Sequence, residues 1–265
     1  MDSTKTEVKY YPIILSENED LPRTSEIKTR TKTIKFAPFN VFNSIHISWI
    51  DYFISAGILK KINMIMETIY KKAFMNDINV FPLAEDSMSA FSVDRSNIKC
   101  VIVGQDPYPG WDPISKRPVA NGKSFSTNSQ KLPESLDVIR NSLVKVTGKK
   151  IVTKNEETPY DLQGWIDQGV LLLNRVNFFY HFLGDTKLLP IGIMDNPKIW
   201  IDITAKICED LKNVSFILVG SEAHKLGSKV TKVKCVVHPS RRSEKTDEFD
   251  FRIFMDIPHI DWNYV

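Results

Sequence analysis

The chain has 265 residues, 42% of them hydrophobic and 25% charged, which is the make-up of an ordinary globular protein with room for one large domain or two small ones. No apolar run approaches the roughly 20 residues needed to span a bilayer, and the opening MDSTKTEVKY lacks the apolar core of a secretory signal. A formal net charge of +3 is too mild to announce a nucleic-acid partner by itself and permits one only where the charge is clustered.

Residues 1–40 are rich in Thr, Lys, Glu and Ser and show no sustained period, so they read as a flexible polar tail. The basic stretch KTRTKTIK, 28–35, reads as a solvated part of it. Residues 41–265 then form a single domain. Ile62, Ile65, Ile69 and Ala73 recur at helical spacing and predict a helix over about 59–74, with Ala56 and Gly57 breaking the pattern before it. The stretch 77–98 is irregular.

At 99–110 the sequence is KCVIVGQDPYPG. A β-branched run ending abruptly in Gly104 predicts a buried strand over 99–103, of the kind found in parallel sheets. Ligands in such sheets bind just beyond the carboxyl ends of the strands, where Gln105, Asp106 and Tyr108 fall. Pro107 and Pro109 keep Asp106 and Tyr108 out of the helical region and stiffen the loop.

Pro133 suits a first helical position, followed by the stripe Leu136, Ile139, Leu143, Val146. Further strands are predicted over 169–173, ending at Asn174, over 214–219, ending at Gly220-Ser221, and over 233–237, ending at His238-Pro239. Between them Asn196 suits a helix cap and Pro197 its first turn, with Trp200, Ile203, Ile207 and Leu211 as the buried face. Cys100, Cys208 and Cys235 have no metal-like spacing and read as small buried hydrophobes of a reducing compartment. Alternating strands and helices predict an α/β fold: three layers, with a four-stranded parallel twisted sheet flanked by helices. All four strands end in residues fit for chemistry or recognition, and a parallel sheet gathers those ends on one edge. The fragment NGKS does not mark a nucleotide phosphate loop, because Arg117 stands where that loop requires glycine.

Six ordered segments together resemble the main uracil-excising family of uracil-DNA glycosylases: GQDPYP (104–109), GKSFS (122–126), LPESL (132–136), GVLLLN (169–174), VGSEAHKLG (219–227) and HPSRRS (238–243). The ending IDWNYV is similar to the family's terminal Pro-Ile-X-Trp, and the match runs from about Ser44 to Val265. The resemblance implies a monofunctional hydrolase that flips uracil out of DNA and cleaves its N-glycosidic bond, leaving an abasic site for base excision repair. It implies catalytic roles for Asp106 and His238, uracil binding by Gln105, Tyr108, Phe125 and Asn174, and DNA binding by Ser126, Pro133, Ser221, Ser240, Arg241 and Arg242. It calls for no cofactor and no metal. The implied partner is uracil-containing DNA, single- or double-stranded, with no membrane. The implied setting is intracellular, in a nucleus or a cytoplasmic viral replication compartment.

Four departures stand out. Pro109 replaces the family's usual histidine and Arg242 its intercalating leucine, and both changes resemble the enzymes of poxviruses and other large DNA viruses. After Asn174, Asn177-Phe178-Phe179 replaces Leu-Thr-Val, and the usual serine-histidine pair is not evident before the helix near 197. The viral likeness adds viral replication proteins as expected partners. It also supplies an alternative of another class, a DNA-bound accessory or processivity factor that keeps the glycosylase fold.

Overall fold

A computed structural model describes residues 6–13, 25–28, 33–40, 44–75, 78–182, 188–190, 198–239 and 249–265. Three strands open the chain, β1 (Thr6–Ile13), β2 (Ser25–Lys28) and β3 (Thr33–Asn40). They form a sheet of order β1-β3-β2, in which β1 runs parallel and β2 antiparallel to β3. The polar-tail reading of residues 1–40 contains no such sheet. The strands fall where β-branched and aromatic residues alternate with charged ones, as Thr6, Val8 and Tyr10 do with Glu7 and Lys9.

Helix α1 (Ile47–Ser55) buries Trp49, Ile50 and Phe53 and is capped by His46, whose ring nitrogen accepts from the Ser48 N–H. The sequence pattern does not single this helix out, because its apolar face is only nine residues long. Gly57, at φ +67°, turns the chain into α2 (Leu59–Met75), which buries Ile62, Met66, Ile69 and Ala73. The expected stripe is there, with Ile65 at its half-buried margin. The irregular stretch that follows contains β4 (Ile78–Phe81) and three short 3-10 turns.

The remaining strands and α-helices are β5 (Cys100–Gly104), α3 (Glu134–Thr147), α4 (Gln163–Asp167), β6 (Val170–Asn174), β7 (Phe179–Phe182), β8 (Leu188–Pro190), α5 (Lys198–Asp210), β9 (Ser215–Val219), α6 (Ser221–His224), β10 (Val233–Val236) and α7 (Arg252–Met255). Strands β4, β7 and β8 make a small antiparallel sheet in the order β4-β7-β8. The central sheet is β10-β9-β5-β6 and wholly parallel. Every residue of β5 and β6 is buried, because helices cover both faces of the sheet. Burying each such Val, Leu or Ile stabilises the fold by about 1.5–3 kcal/mol. The four predicted strands are all present, to within a residue or two.

Three details differ from expectation or fall outside view. Pro133 sits one position earlier than predicted, as the N-cap of α3, with its carbonyl accepting from the Asp137 N–H at 2.9 Å. Cys235 is exposed, whereas Cys100 and Cys208 are buried. β10 is an edge strand with one flank unpaired, so apolar neighbours in sequence do not bury its cysteine. Asn196 and Pro197 lie outside the described residues.

The register puts Gly104 opposite Asn174 and Val219 opposite Val236. The carboxyl ends of all four strands therefore lie along one edge, as the sequence reading requires. No helix among the described residues is long and apolar enough to cross a membrane.

Candidate active site

At the carboxyl edge the backbone of β5 stops being covered and starts to be crowded. A Cβ on Gly104 would lie 2.9 Å from Asn174 Oδ1 and 3.2 Å from both Phe125 Cε2 and Ser124 Cβ. Two segments far apart in sequence, 124–125 and Asn174, thus meet over one glycine, and only a residue without a side chain admits them. Beyond Gly104 the loop is stitched to the chain leaving β6: the Arg175 N–H donates to the Gly104 carbonyl at 2.9 Å and the Val176 N–H to the Gln105 carbonyl at 3.0 Å.

Gln105 Nε2 donates to Asp106 Oδ2 at 3.0 Å, fixing the carboxylate at the rim. Burial pushes the Asp106 pKa up and the nearby Glu222 carboxylate pushes the same way, while the Gln105 hydrogen bond opposes them. Pro107 is buried and Pro109 exposed, so the stiffened loop is anchored at its first proline. Tyr108 leans on a small cluster of Phe81, Ala120 and Phe179. Its hydroxyl donates to the Phe125 carbonyl at 3.2 Å and accepts from Ser135 at 3.4 Å, which ties the loop to the start of α3.

Phe125 holds a left-handed backbone, φ 58°, a conformation that costs a non-glycine residue about 1–3 kcal/mol. The surroundings impose it. The Ser124 N–H donates to the Leu172 carbonyl at 3.2 Å, and the Thr127 N–H donates to the Tyr160 carbonyl at 3.0 Å. Gly122 fixes the entry to this segment, since a Cβ there would lie 1.8 Å from the Asp86 carbonyl oxygen. The Phe125 ring then faces His238, with ring centroids 6.2 Å apart and planes at 46°. His238 itself packs on Gly220, whose absent Cβ would stand 3.2 Å from the histidine Cβ. Burial lowers the His238 pKa, so the imidazole is neutral near pH 7.

The structure thus gathers Asn174, Phe125 and His238 into one chain of contacts along the rim, with Gln105 and Asp106 on the loop that leaves Gly104 and Tyr108 bonded to Phe125. Pro133 is half-buried at the head of α3, and Ser221 is exposed as the first residue of α6. Ser126 is a correction. It is fully buried, its hydroxyl donating to the Asp161 carbonyl at 2.6 Å and accepting from Asn121 at 2.9 Å, so it braces the Phe125 segment and presents nothing to DNA. Ser240, Arg241 and Arg242 lie outside the described residues.

The rim also carries an ion-pair bridge that no local sequence pattern marks. Arg175 Nη1 donates to Glu222 Oε2 at 2.6 Å, and Lys225 Nζ to Glu222 Oε1 at 2.5 Å, bridging the ends of β6 and β9. Both partners sit directly beside predicted site residues, but only the sheet order shows that those neighbours face each other. Among the described residues, no group of three or more His, Cys, Asp or Glu side chains is placed to hold a metal ion.

No family model matches the chain. The uracil-DNA glycosylase of Mycoplasmopsis pulmonis is 31% identical over 192 residues, 68% of this chain and 77% of that protein. The uracil-DNA glycosylase of Aliivibrio salmonicida is 30% identical over 199 residues, 71% of this chain and 81% of its own. Among solved structures, mimivirus uracil-DNA glycosylase aligns with a TM-score of 0.61 and 25% identity, covering 77% of this chain and 72% of that one.

Proposed function

The chain belongs to the uracil-DNA glycosylase family, and from that membership we propose that it hydrolyses the N-glycosidic bond of uracil flipped out of DNA and leaves an abasic site. The observation that carries this reading is the convergence over Gly104, where Asn174 and Phe125 meet above the strand whose loop holds Asp106. Breaking the bond separates charge: the sugar becomes oxocarbenium-like and the base departs as an anion. Catalysis therefore needs an anion beneath the sugar and donors at the base oxygens, both fixed in advance.

Asp106 is the anion, held by Gln105, and it stabilises the sugar cation and orients the attacking water. Water adds to the sugar carbon, its proton leaves, and the departing uracil carries the bonding pair. His238 donates from a neutral imidazole to uracil O2 as charge builds there, which its lowered pKa favours. The Asn174 amide matches uracil N3–H with its oxygen and O4 with its nitrogen. Cytosine offers the reverse at both places and would leave two buried groups unpaired, a mismatch that discriminates by about 10⁴–10⁵. Tyr108 closes the C5 side against the methyl of thymine, and Phe125 stacks on the extruded ring.

Extrusion costs a few kcal/mol, which contacts to the backbone offset. Exposed Ser221 and the loop at Pro133 suit phosphates, contacts that position DNA without reading its sequence. The same reading assigns Ser240, Arg241 and Arg242 to DNA on their sequence positions alone. Incubation with a uracil-containing oligonucleotide followed by alkali tests the proposal. Strand cleavage at the uracil is the expected outcome, and an uncut strand at high protein concentration refutes catalysis.

A further inference from the structure

Of the five tryptophans, Trp49, Trp165, Trp200 and Trp262 are all at least 95% buried, whereas Trp111 is 42% exposed. It stands in the loop that continues the Asp106–Tyr108 segment, and that loop is tightly built. The Val119 N–H donates to the Gly110 carbonyl at 3.1 Å, the Asp112 N–H to the Arg117 carbonyl at 2.8 Å, and Trp111 pairs with Pro118 across the turn. Arg117 anchors the turn to Glu85 at 3.2 Å and to Asp86 at 2.9 Å. The indole itself rests edge-on against buried Phe81, with centroids 5.5 Å apart at 83°. Phe81 belongs to the cluster that also supports Tyr108. A large apolar ring is therefore held rigidly in water, at the cost of ordering a ten-residue turn, beside the wall of the uracil pocket.

Trp111 does not stand alone. It lines a groove of about 680 Å³ together with Tyr108, Pro109, Lys131 and Pro133, a volume within the usual range of ligand sites (about 300–1,000 Å³). Tyr108 is common to this groove and to the candidate site, so the two adjoin. Three carboxylates also border the groove: Asp112 is 1% exposed and its Oδ1 accepts from the Ile114 N–H at 2.8 Å, which turns it inward, Asp137 is half-buried and accepts from Asn141 Nδ2 at 3.0 Å, and Glu134 is exposed in the first turn of α3. Lys131 is the exposed cation of the rim.

We infer that this groove is a nucleobase subsite, in which Trp111 stacks on an unpaired base of the same DNA strand, within two nucleotides of the uracil, while Lys131 meets the adjoining phosphate. The inference rests on the glycosylase reading above. A base in a duplex is already stacked and paired, so the subsite favours single-stranded substrate. Stacking on an aromatic side chain is worth about 5- to 150-fold per base (about 1–3 kcal/mol at 1.4 kcal/mol per tenfold).

The test measures kcat/KM on single-stranded oligonucleotides carrying one uracil and a base-less spacer at each of the two positions on either side. The wild type loses about 5- to 150-fold at one of those positions. Trp111→Ala shows a similar loss on the intact strand and nothing further from that spacer, and Trp111→Phe recovers most of it. Equal spacer costs in the wild type and Trp111→Ala, or no spacer costing more than about twofold, overturn the inference. Because the other four tryptophans are buried, fluorescence reads the subsite without catalysis. A thymidine-only strand quenches the wild type and leaves Trp111→Phe unquenched, and absence of quenching in the wild type overturns the inference. Quenching without any uracil release instead defeats the glycosylase reading and leaves the subsite standing.

Discussion

The two edges of the central sheet are made from the same four strands yet are finished in opposite ways. At the amino edge the backbone closes on itself. The Lys99 N–H donates to the Gly169 carbonyl at 2.9 Å, the Trp165 indole N–H to the Trp262 carbonyl at 3.0 Å, and the Val265 N–H to the Val152 carbonyl at 2.9 Å. Gly164 lies so close to the chain terminus that a Cβ would stand 2.7 Å from the Tyr264 carbonyl oxygen. At the carboxyl edge the crowding is among side chains, Phe125 is held in a left-handed backbone, and burial shifts the pKa values of Asp106 and His238 in the directions that disfavour charge. One edge spends its contacts on holding the fold, and the other holds Asp106 and His238 partly desolvated. Substitutions at the first should therefore move stability alone, and those at the second should move turnover and base choice.

The largest expected effect belongs to the amino edge. Trp262→Ala empties a site packed by Trp165, Phe251 and Phe254 and should lower unfolding free energy by about 3–5 kcal/mol in denaturant titration, with base choice unchanged. Asp106→Asn is its counterpart, slowing uracil release by about 10²–10³-fold or more while leaving DNA binding intact. Its melting temperature at pH 7 should not fall. A carboxyl whose pKa folding raises stabilises the fold fully below the unfolded carboxylate range and loses that contribution as pH rises through its raised value, so a neutral amide in its place forfeits no stability that ionisation supplied.

A pair of glycines sharpens the contrast. Gly164→Ala meets backbone and should cost about 1–3 kcal/mol of stability without touching kcat/KM of the folded fraction. Gly104→Ala meets the Asn174 amide and the Phe125 ring, which yield by moving, so kcat/KM should drop about tenfold or more with a smaller change in stability. Equal stability losses for the two would erase the distinction. Smaller still, Tyr108→Ala should release thymine slowly where the wild type releases none, with Tyr108→Phe as the control that keeps the ring. The gentlest effect is on pH dependence. With the His238 pKa lowered, protonation of its imidazole should reduce activity only below the ordinary histidine value near 6.5, and the limb set by Asp106 should lie above the ordinary aspartate value near 3.9, because burial raises it.

Much of the fold was legible because the signals are local. The run Cys100–Val103 ending in Gly104, and its three counterparts, announce buried parallel strands, and from those the shared edge follows. Helices α2 and α3 declare themselves by spacing. What escaped depends on who packs against whom. Cys235 looks like its buried namesakes until β10 proves to be an edge strand. Ser126 sits in a functional-looking segment, yet its hydroxyl is used up by Asp161 and Asn121. The Arg175–Glu222 pair joins residues 47 positions apart, which no periodicity reveals. Asp106, Asn174 and His238 could be nominated from resemblance, but the left-handed Phe125 and the bare face of Gly104, over which Phe125 meets Asn174, are visible only in three dimensions.

Free base released under single-turnover conditions from a strand carrying one uracil, measured for the wild type and Asp106→Asn side by side, tests the carboxyl edge most directly. The wild type should liberate uracil at least about 10²-fold faster than the variant. Equal rates, or no uracil from the wild type, would contradict the assignment of this edge to catalysis.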